Sequence, residues 1–201
     1  QVKGASFAVG TIRLPRMIAG VFAGFAFGVG GYIFQTMLRN PLANPNVIGI
    51  TAGSSAAAVF CIIVLQASNT MVSIASVIGG LATALVIYFL SKGSSFSIGR
   101  LILIGIGIQA MLDAVINYLM LIGKTHDLPT AMRWLSGSLN GAKMDNLYPL
   151  VMTVCIFAPI IIFFGKRLEM LELGEQAATS LGVDTNNTRL ILIISSVLII
   201  A

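Results

Sequence analysis

The sequence predicts an all-α fold, a polytopic transmembrane helical bundle, and three observations carry that reading. Hydrophobic residues make up 57% of the 201 residues and charged residues only 9%, and the mean hydropathy is +0.96, far from the balance of a water-soluble domain. The charges collect in short stretches. Between them lie uncharged runs long enough to cross a hydrocarbon layer of roughly 30 Å.

The first span is expected from about Met17 to Leu38, without a charge and closed by Arg39. Gly20, Gly24 and Gly28 recur every four residues within it, a helix-packing stripe along which a neighbouring backbone can approach closely. The second span, about 47–67, opens on Gly49, Ala52, Gly53, Ser54 and Ser55, so one half is small and the other bulky. A turn of only Ser68, Asn69 and Thr70 leads into the third span, about 71–91, which makes the two an antiparallel hairpin. The fourth, about 101–123, carries Gln109, Asp113 and Asn117 four apart, stacked on one face that should avoid lipid. The fifth, about 147–165, contains Pro149 and Pro159, where a missing N–H favours a kink. A sixth begins near Leu190. Both ends read as cut, since the chain opens on Gln1 and closes on an apolar run short of a full span. We read residues 1–201 as one transmembrane domain.

Two connecting stretches have patterns of their own. Between Lys124 and Asn146, Trp134 stands among Ala131, Leu135 and Leu139 at helical spacing, which predicts a short interfacial helix ended near Gly141. Between Lys166 and Arg189, the most charged part of the chain, Leu171, Gly174, Ala178 and Leu181 form an apolar and small-residue face, with Gly182 as a helix stop. Basic residues do not set the orientation. Arg13, Arg16, Lys124, Arg133 and Lys143 on one side are nearly balanced by Arg39, Lys92, Arg100, Lys166, Arg167 and Arg189 on the other.

Several chemistries are excluded or weakened. The net charge of +5 is not gathered into a basic patch interleaved with aromatics, so no nucleic acid is expected and the cations read as loop anchors at the lipid surface. Gly123-Lys124-Thr125 spells the end of a phosphate-binding loop, but Tyr118 stands where its first glycine is required. No nucleotide site is expected in this chain. Cys61 and Cys155 sit in apolar runs and read as small packed side chains, and no metal-ligand cluster is visible. Asp113 is an intramembrane acid and by default a functional candidate; with Gln109 and Asn117 a turn away, a hydrogen-bonded contact between helices is the plainer reading. His126 beside Asp127 reads as a surface residue. Two rivals remain: an ion-coupled secondary transporter using Asp113, which should show paired broken helices, and an intramembrane hydrolase, which needs a second catalytic group that the spans lack.

Motifs in order point to a family. Arg13-Leu14-Pro15-Arg16 precedes the first span and Gln35-Thr36-Met37-Leu38-Arg39-Asn40-Pro41-Leu42-Ala43-Asn44-Pro45 closes it. Gly49-Ile50-Thr51-Ala52-Gly53 opens the second, Trp134-Leu135-Ser136-Gly137-Ser138-Leu139 lies in the surface helix, and Leu173-Gly174-Glu175 with Ala177-Ala178 and Leu181-Gly182 follows the fifth. In these the chain resembles the permease subunits of ABC importers for siderophores, haem and cobalamin.

The resemblance implies a subunit of roughly ten helices working as a homodimer or heterodimer, with this chain holding about the second to the start of the seventh. It implies a transport function without an enzymatic site of its own, in a bacterial or archaeal plasma membrane. ATP and Mg would sit on a separate ATP-binding subunit, and substrate, an iron-siderophore or related metal chelate such as haem or cobalamin, would arrive on an extracytoplasmic substrate-binding protein. Arg13 and Arg16 would dock that protein through charge complementarity. Gly174, Glu175, Gln176, Ala177, Ala178, Leu181 and Gly182 would couple to the ATPase, Gln176-Ala177-Ala178 being a variant of a Glu-Ala-Ala motif. Gln35, Gln109, Asp113 and Asn117 are the expected polar residues of the pathway or of helix interfaces.

Overall fold

The computed structural model describes residues 8–44, 46, 49–92 and 97–200. Pro45 and Val47, named above in a motif and a span, lie outside them. Eight α-helices follow one another among the described residues: α1 (Leu14–Leu38), α2 (Ile50–Ile63), α3 (Asn69–Lys92), α4 (Ile98–Ile122), α5 (Leu128–Ser136), α6 (Met144–Glu172), α7 (Glu175–Ser180) and α8 (Thr185–Ile200). A π-helical turn, Ala8–Arg13, runs into α1. The stretches Ala8–Leu38, Asn69–Lys92, Ile98–Ile122 and Leu147–Glu172 are long and apolar enough to cross a membrane.

Two packed groups make up the bundle. In one, α1, α6 and α8 pack on each other; in the other, α2, α3 and α4 pack together with α5 laid across α2, and α3 also meets α8. The first core gathers Ile33, Phe34, Met37, Ile87, Leu101, Leu168, Leu171 and Leu192, each almost or fully buried. The second gathers Ala58, Val59, Ile62, Val72, Leu119 and Ala131. Small residues allow the closest crossings. A Cβ on Gly79 would stand 2.6 Å from both Ala57 Cβ and the Gly53 carbonyl oxygen, so α2 and α3 touch backbone to backbone; Asn69 and Thr70 already belong to α3, and the connection is the five residues 64–68.

The packing differs from the sequence expectation in four places. The helix in the second span has 14 residues, about 21 Å at 1.5 Å per residue, because Gly49 in the left-handed region (φ 77) starts it and Gln66 (φ 47) turns the chain just beyond its end. The stripe of Gly20, Gly24 and Gly28 faces away from this chain's core. Nothing stands within 4 Å of a Cβ built on Gly24 or Gly28, and Gly20 meets only Leu139. The surface helix stops at Gly137 (φ 71) rather than near Gly141, since its caps are set by Asp127 and Gly137. The fifth span's helix contains both prolines and continues to Glu172, so much of the stretch expected as a loop is helix. Lys166 and Arg167 lie within it, and Arg167 stacks 5.0 Å over the Phe164 ring.

Candidate functional site

The Asn-Pro segment after α1 holds itself together locally. Asn40 N–H donates to Gln35 O at 3.0 Å, Leu42 N–H to Asn40 Oδ1 at 2.9 Å, and Asn46 N–H to Asn44 Oδ1 at 3.0 Å. Asparagine side chains therefore serve backbone donors that no helix or sheet can satisfy here. Between this segment and α1 lies a cavity of about 410 Å³, lined by Phe27, Gly31 and Gln35 from one face of α1 and by Pro41, Leu42 and Asn44 opposite. Gln35 thus opens onto a cavity.

Gly49 carries the chain from that segment into α2, and it lies against the middle of α4. A Cβ there would stand 2.9 Å from Gly105 O and 3.2 Å from Gln109 N. Gly105 and Gln109 are seven and eleven residues into α4, about 10 and 16 Å along its axis. The short α2 therefore starts beside the middle of α4, a helix long and apolar enough to cross a membrane, and non-helical backbone at such a depth is tolerated only where it is buried in protein or faces a water-filled cavity.

The polar face of α4 is not closed within this chain. Gln109 is half-buried beside Gly49, while Asp113 and Asn117 are exposed. No hydrogen bond from these three side chains is made to the described residues. An exposed acid and amide on a helix of this apolar character require cover by protein or water rather than lipid.

The two ends of α1 carry different groups. At its start Arg13 is exposed, and Arg16 Nη2 donates to Asn140 O at 3.1 Å. Leu139 packs near Gly20 on the same end. Trp134 and Leu135 are partly exposed on α5, and His126 stands out in the turn before it, 3.3 Å from Asp127.

At the other end of α1, α7 sits between α6 and α8. Leu173 and Gly174 alone separate α6 from α7, and Gly174 takes φ 121, ψ 155. Ala178 is fully buried among Leu171, Leu192 and Val183 of the first core, whereas Leu173 and Leu181 are 68% and 59% exposed. Gln176 and Gly182 are exposed too, and Ala177 half-buried. The expected small-residue face is thereby divided: Ala178 packs inward, and the outward face is built from Leu173, Gln176, Leu181 and Gly182. Spacing alone does not tell the two sides of a one-and-a-half-turn helix apart.

Arg189 escaped the sequence reading, which took it as a loop charge. It is 2% exposed and forms a two-point ion pair with Glu175, Nη1 to Oε1 at 3.4 Å and Nη2 to Oε2 at 3.4 Å. The Arg39 guanidinium lies 3.7 to 3.8 Å from the position of a Cβ on Gly174. Tyr88, also buried, donates from Oη to Asn186 O at 3.1 Å. The available signal was the spacing of Glu175 and Arg189 across one turn-forming Gly182.

Among the described residues no group of three or more His, Cys, Asp or Glu side chains could hold a metal ion.

Residues 3–201 match the sequence profile of the FecCD transport family. The chain is 33% identical over 192 residues to the ferric enterobactin transport system permease protein FepG of Escherichia coli (strain K12), covering 94% of this chain and 57% of that protein. It is 31% identical over 195 residues to the cobalamin import system permease protein BtuC of Halobacterium salinarum, covering 96% of this chain and 53% of that one. The chain thus spans little more than half the length of these relatives. Its fold superimposes, at a TM-score of 0.91 and 27% identity, on all of this chain and 64% of a solved chain described as an inward-facing ABC transporter assigned to the metal-chelate type.

Proposed function

The chain belongs to the FecCD transport family, and from that premise we propose that it is part of the membrane-spanning permease subunit of an ATP-driven importer of iron chelates or a related metal complex. The subunit binds no nucleotide. It receives substrate from an extracytoplasmic binding protein and passes it along the interface with a second permease subunit, while a separate ATP-binding subunit supplies the work. It resides in a bacterial or archaeal plasma membrane, and residues 1–201 form one membrane domain within it.

The observation that carries this reading is α7, a six-residue helix held beyond the end of α6 and flanked by two large apolar side chains turned outward, Leu173 before it and Leu181 just after it. Apolar residues on a short surface helix fit a groove in a partner, and rigid-body movement of that partner can then pass through the helix. Gly174, Glu175, Gln176, Ala177, Ala178, Leu181 and Gly182 form this coupling unit, its contact made by the outward subset. At the opposite end of α1, Arg13 and Arg16 form the docking rim for the binding protein, where charge sets encounter and register. Gln35, Gln109, Asp113 and Asn117 border the pathway or the subunit interface, and Gly24 and Gly28 give a close-packing surface to protein outside this chain. Few polar groups line any of these surfaces, which suits transient passage better than tight binding of the permeant. Family membership supports neither ion-coupled transport through Asp113 nor intramembrane hydrolysis.

The test is co-purification of the full-length protein with the ATPase encoded beside it, comparing wild type with Leu173→Asp and Leu181→Arg. Binding by wild type and loss in both variants is expected. If wild type binds no ATPase while uptake follows an ion gradient, the reading fails.

A further inference from the structure

We infer that Arg189 is a positioning residue whose ion pair with Glu175 ties α7 to α8, so that movement imposed on α7 is delivered to α8 rather than lost in the link to α6. The inference rests on the importer reading above and concerns how the coupling helix is held.

The connection from α6 is short: Gly174 takes φ 121, ψ 155, a backbone state that side chains other than glycine's rarely adopt, its N–H donates to Leu171 O at 3.2 Å and its carbonyl accepts the Ala178 N–H at 2.8 Å. A six-residue helix is also far below the length at which a helix holds its own shape in water. The placement of α7 therefore comes from what its side chains grip.

Those grips lead to α6, α8 and α1. Ala178 is fully buried, and its carbonyl accepts the Val183 N–H at 3.0 Å, closing the turn toward α8. Glu175 meets Arg189 through both carboxylate oxygens, each at 3.4 Å from a guanidinium nitrogen. Arg189 lies one turn into α8 and is 2% exposed, whereas the Glu175 side chain is 39% exposed. Arg39, at the end of α1 with φ 51, stands over Gly174. On the far side the Tyr88 hydroxyl holds Asn186 O, fixing the first turn of α8 to α3.

A buried guanidinium is an expensive way to hold two helices together, since an apolar pair of the same volume would do so at least as firmly. What the ion pair adds is geometry. One charged hydrogen bond, Arg189 Nη2 to Glu175 Oε2, with a second charge contact beside it, Nη1 to Oε1, sets the distance of α7 from α8. An apolar contact would permit sliding, and sliding dissipates a stroke.

The experiment uses the full-length permease with its ATPase and binding protein in proteoliposomes, measuring substrate taken up per ATP hydrolysed in wild type, Glu175→Gln, Glu175→Asp and Arg189→Lys. Glu175→Gln removes the charge at a half-exposed position, so the assembled complex should persist. Expected are co-purification of the ATPase, whose contact lies on Leu173, Gln176, Leu181 and Gly182, and uptake per ATP lowered at least about fivefold, with Glu175→Asp recovering part of it. Arg189→Lys should lower the same ratio because an ammonium ion cannot reproduce the two-point contact. An unchanged ratio in Glu175→Gln overturns the inference. So does loss of ATPase binding in that variant, which would make Glu175 a contact to the ATPase instead of a tether. If wild type itself binds no ATPase, the importer reading falls first, and this inference with it.

Discussion

Gly49 combines two constraints in one residue. Its φ of 77 lies in the left-handed region, and a Cβ would stand 2.9 Å from Gly105 O in α4. The first constraint costs an L-residue about 1–2 kcal/mol and the second about 1–3 kcal/mol through overpacking. Gly49→Val should lower stability by roughly 2–5 kcal/mol on these principles, read as a lower unfolding temperature of the full-length protein in detergent. Gly165→Ala is the control. Nothing stands within 4 Å of its Cβ and its backbone is helical, so stability should hold or rise by up to about 1 kcal/mol. Glu175 and Arg189 are a second residue-scale case, where removing one partner strands the other. Glu175→Ala should cost roughly 2–3 kcal/mol, below the range for fully buried pairs because the Glu175 carboxylate reaches solvent.

Among the elements, the α2–α3 hairpin depends on the absence of side chains. Gly53 and Gly79 each place backbone where the other's Cβ would be, and the same crossing brings Thr83 against Gly53 and Ser54 against Gly80. Gly79→Leu should abolish this approach, and protease sensitivity at the 64–68 turn should rise sharply while α6 stays protected. The proline-bearing helix α6 behaves differently. Pro159 leaves the Cys155 carbonyl without its i+4 donor, yet the helix runs unbroken from Met144 to Glu172. At Pro149 the Thr153 hydroxyl donates to the proline carbonyl at 2.7 Å. The helix α7 is the element most dependent on context, since its six residues acquire a position through Gly174, Glu175, Ala178 and the turn at Gly182.

At the scale of the whole molecule, charged and polar groups divide by the ends of α1. Arg13, Arg16 and the α5 region share one end, and Arg39, α7 and Arg189 share the other, separated by the 25 residues of α1, about 37 Å. The proposed importer, worked from one side and loaded from the other, needs this separation. Asp113 lies between the two ends on the open face of α4 and, in an ATP-driven importer, has no proton to carry. Asp113→Asn should leave ATP-driven uptake within about twofold of wild type and insensitive to a protonophore. Loss of uptake matched by sensitivity to the proton gradient would contradict the importer reading. Gly24 and Gly28 face away from this chain's core, and the chain spans little more than half the length of the curated relatives it matches.

The fold class, the order of the helices and the family were legible in the sequence, because each depends on local quantities: the length of uncharged runs, the residues that stop them, and motifs read in order. The hairpin was legible for the same reason, although the connection is residues 64–68 and the expected turn residues Asn69 and Thr70 begin α3. Three things needed the tertiary structure. One is the depth at which α2 begins, set by Gly49 meeting α4 and not by the hydropathy of residues 47–67, some of which lie outside the described residues. Another is which face of a short helix points inward, as with Ala178 buried and Leu181 exposed, because a helix of six residues has too little periodicity to declare a face. The last is the partnership of Glu175 with Arg189. Charge in a sequence reads as solvated unless something shows where the chain folds back, and only the turn at Gly182 brings α8 close enough for a buried arginine to find its carboxylate.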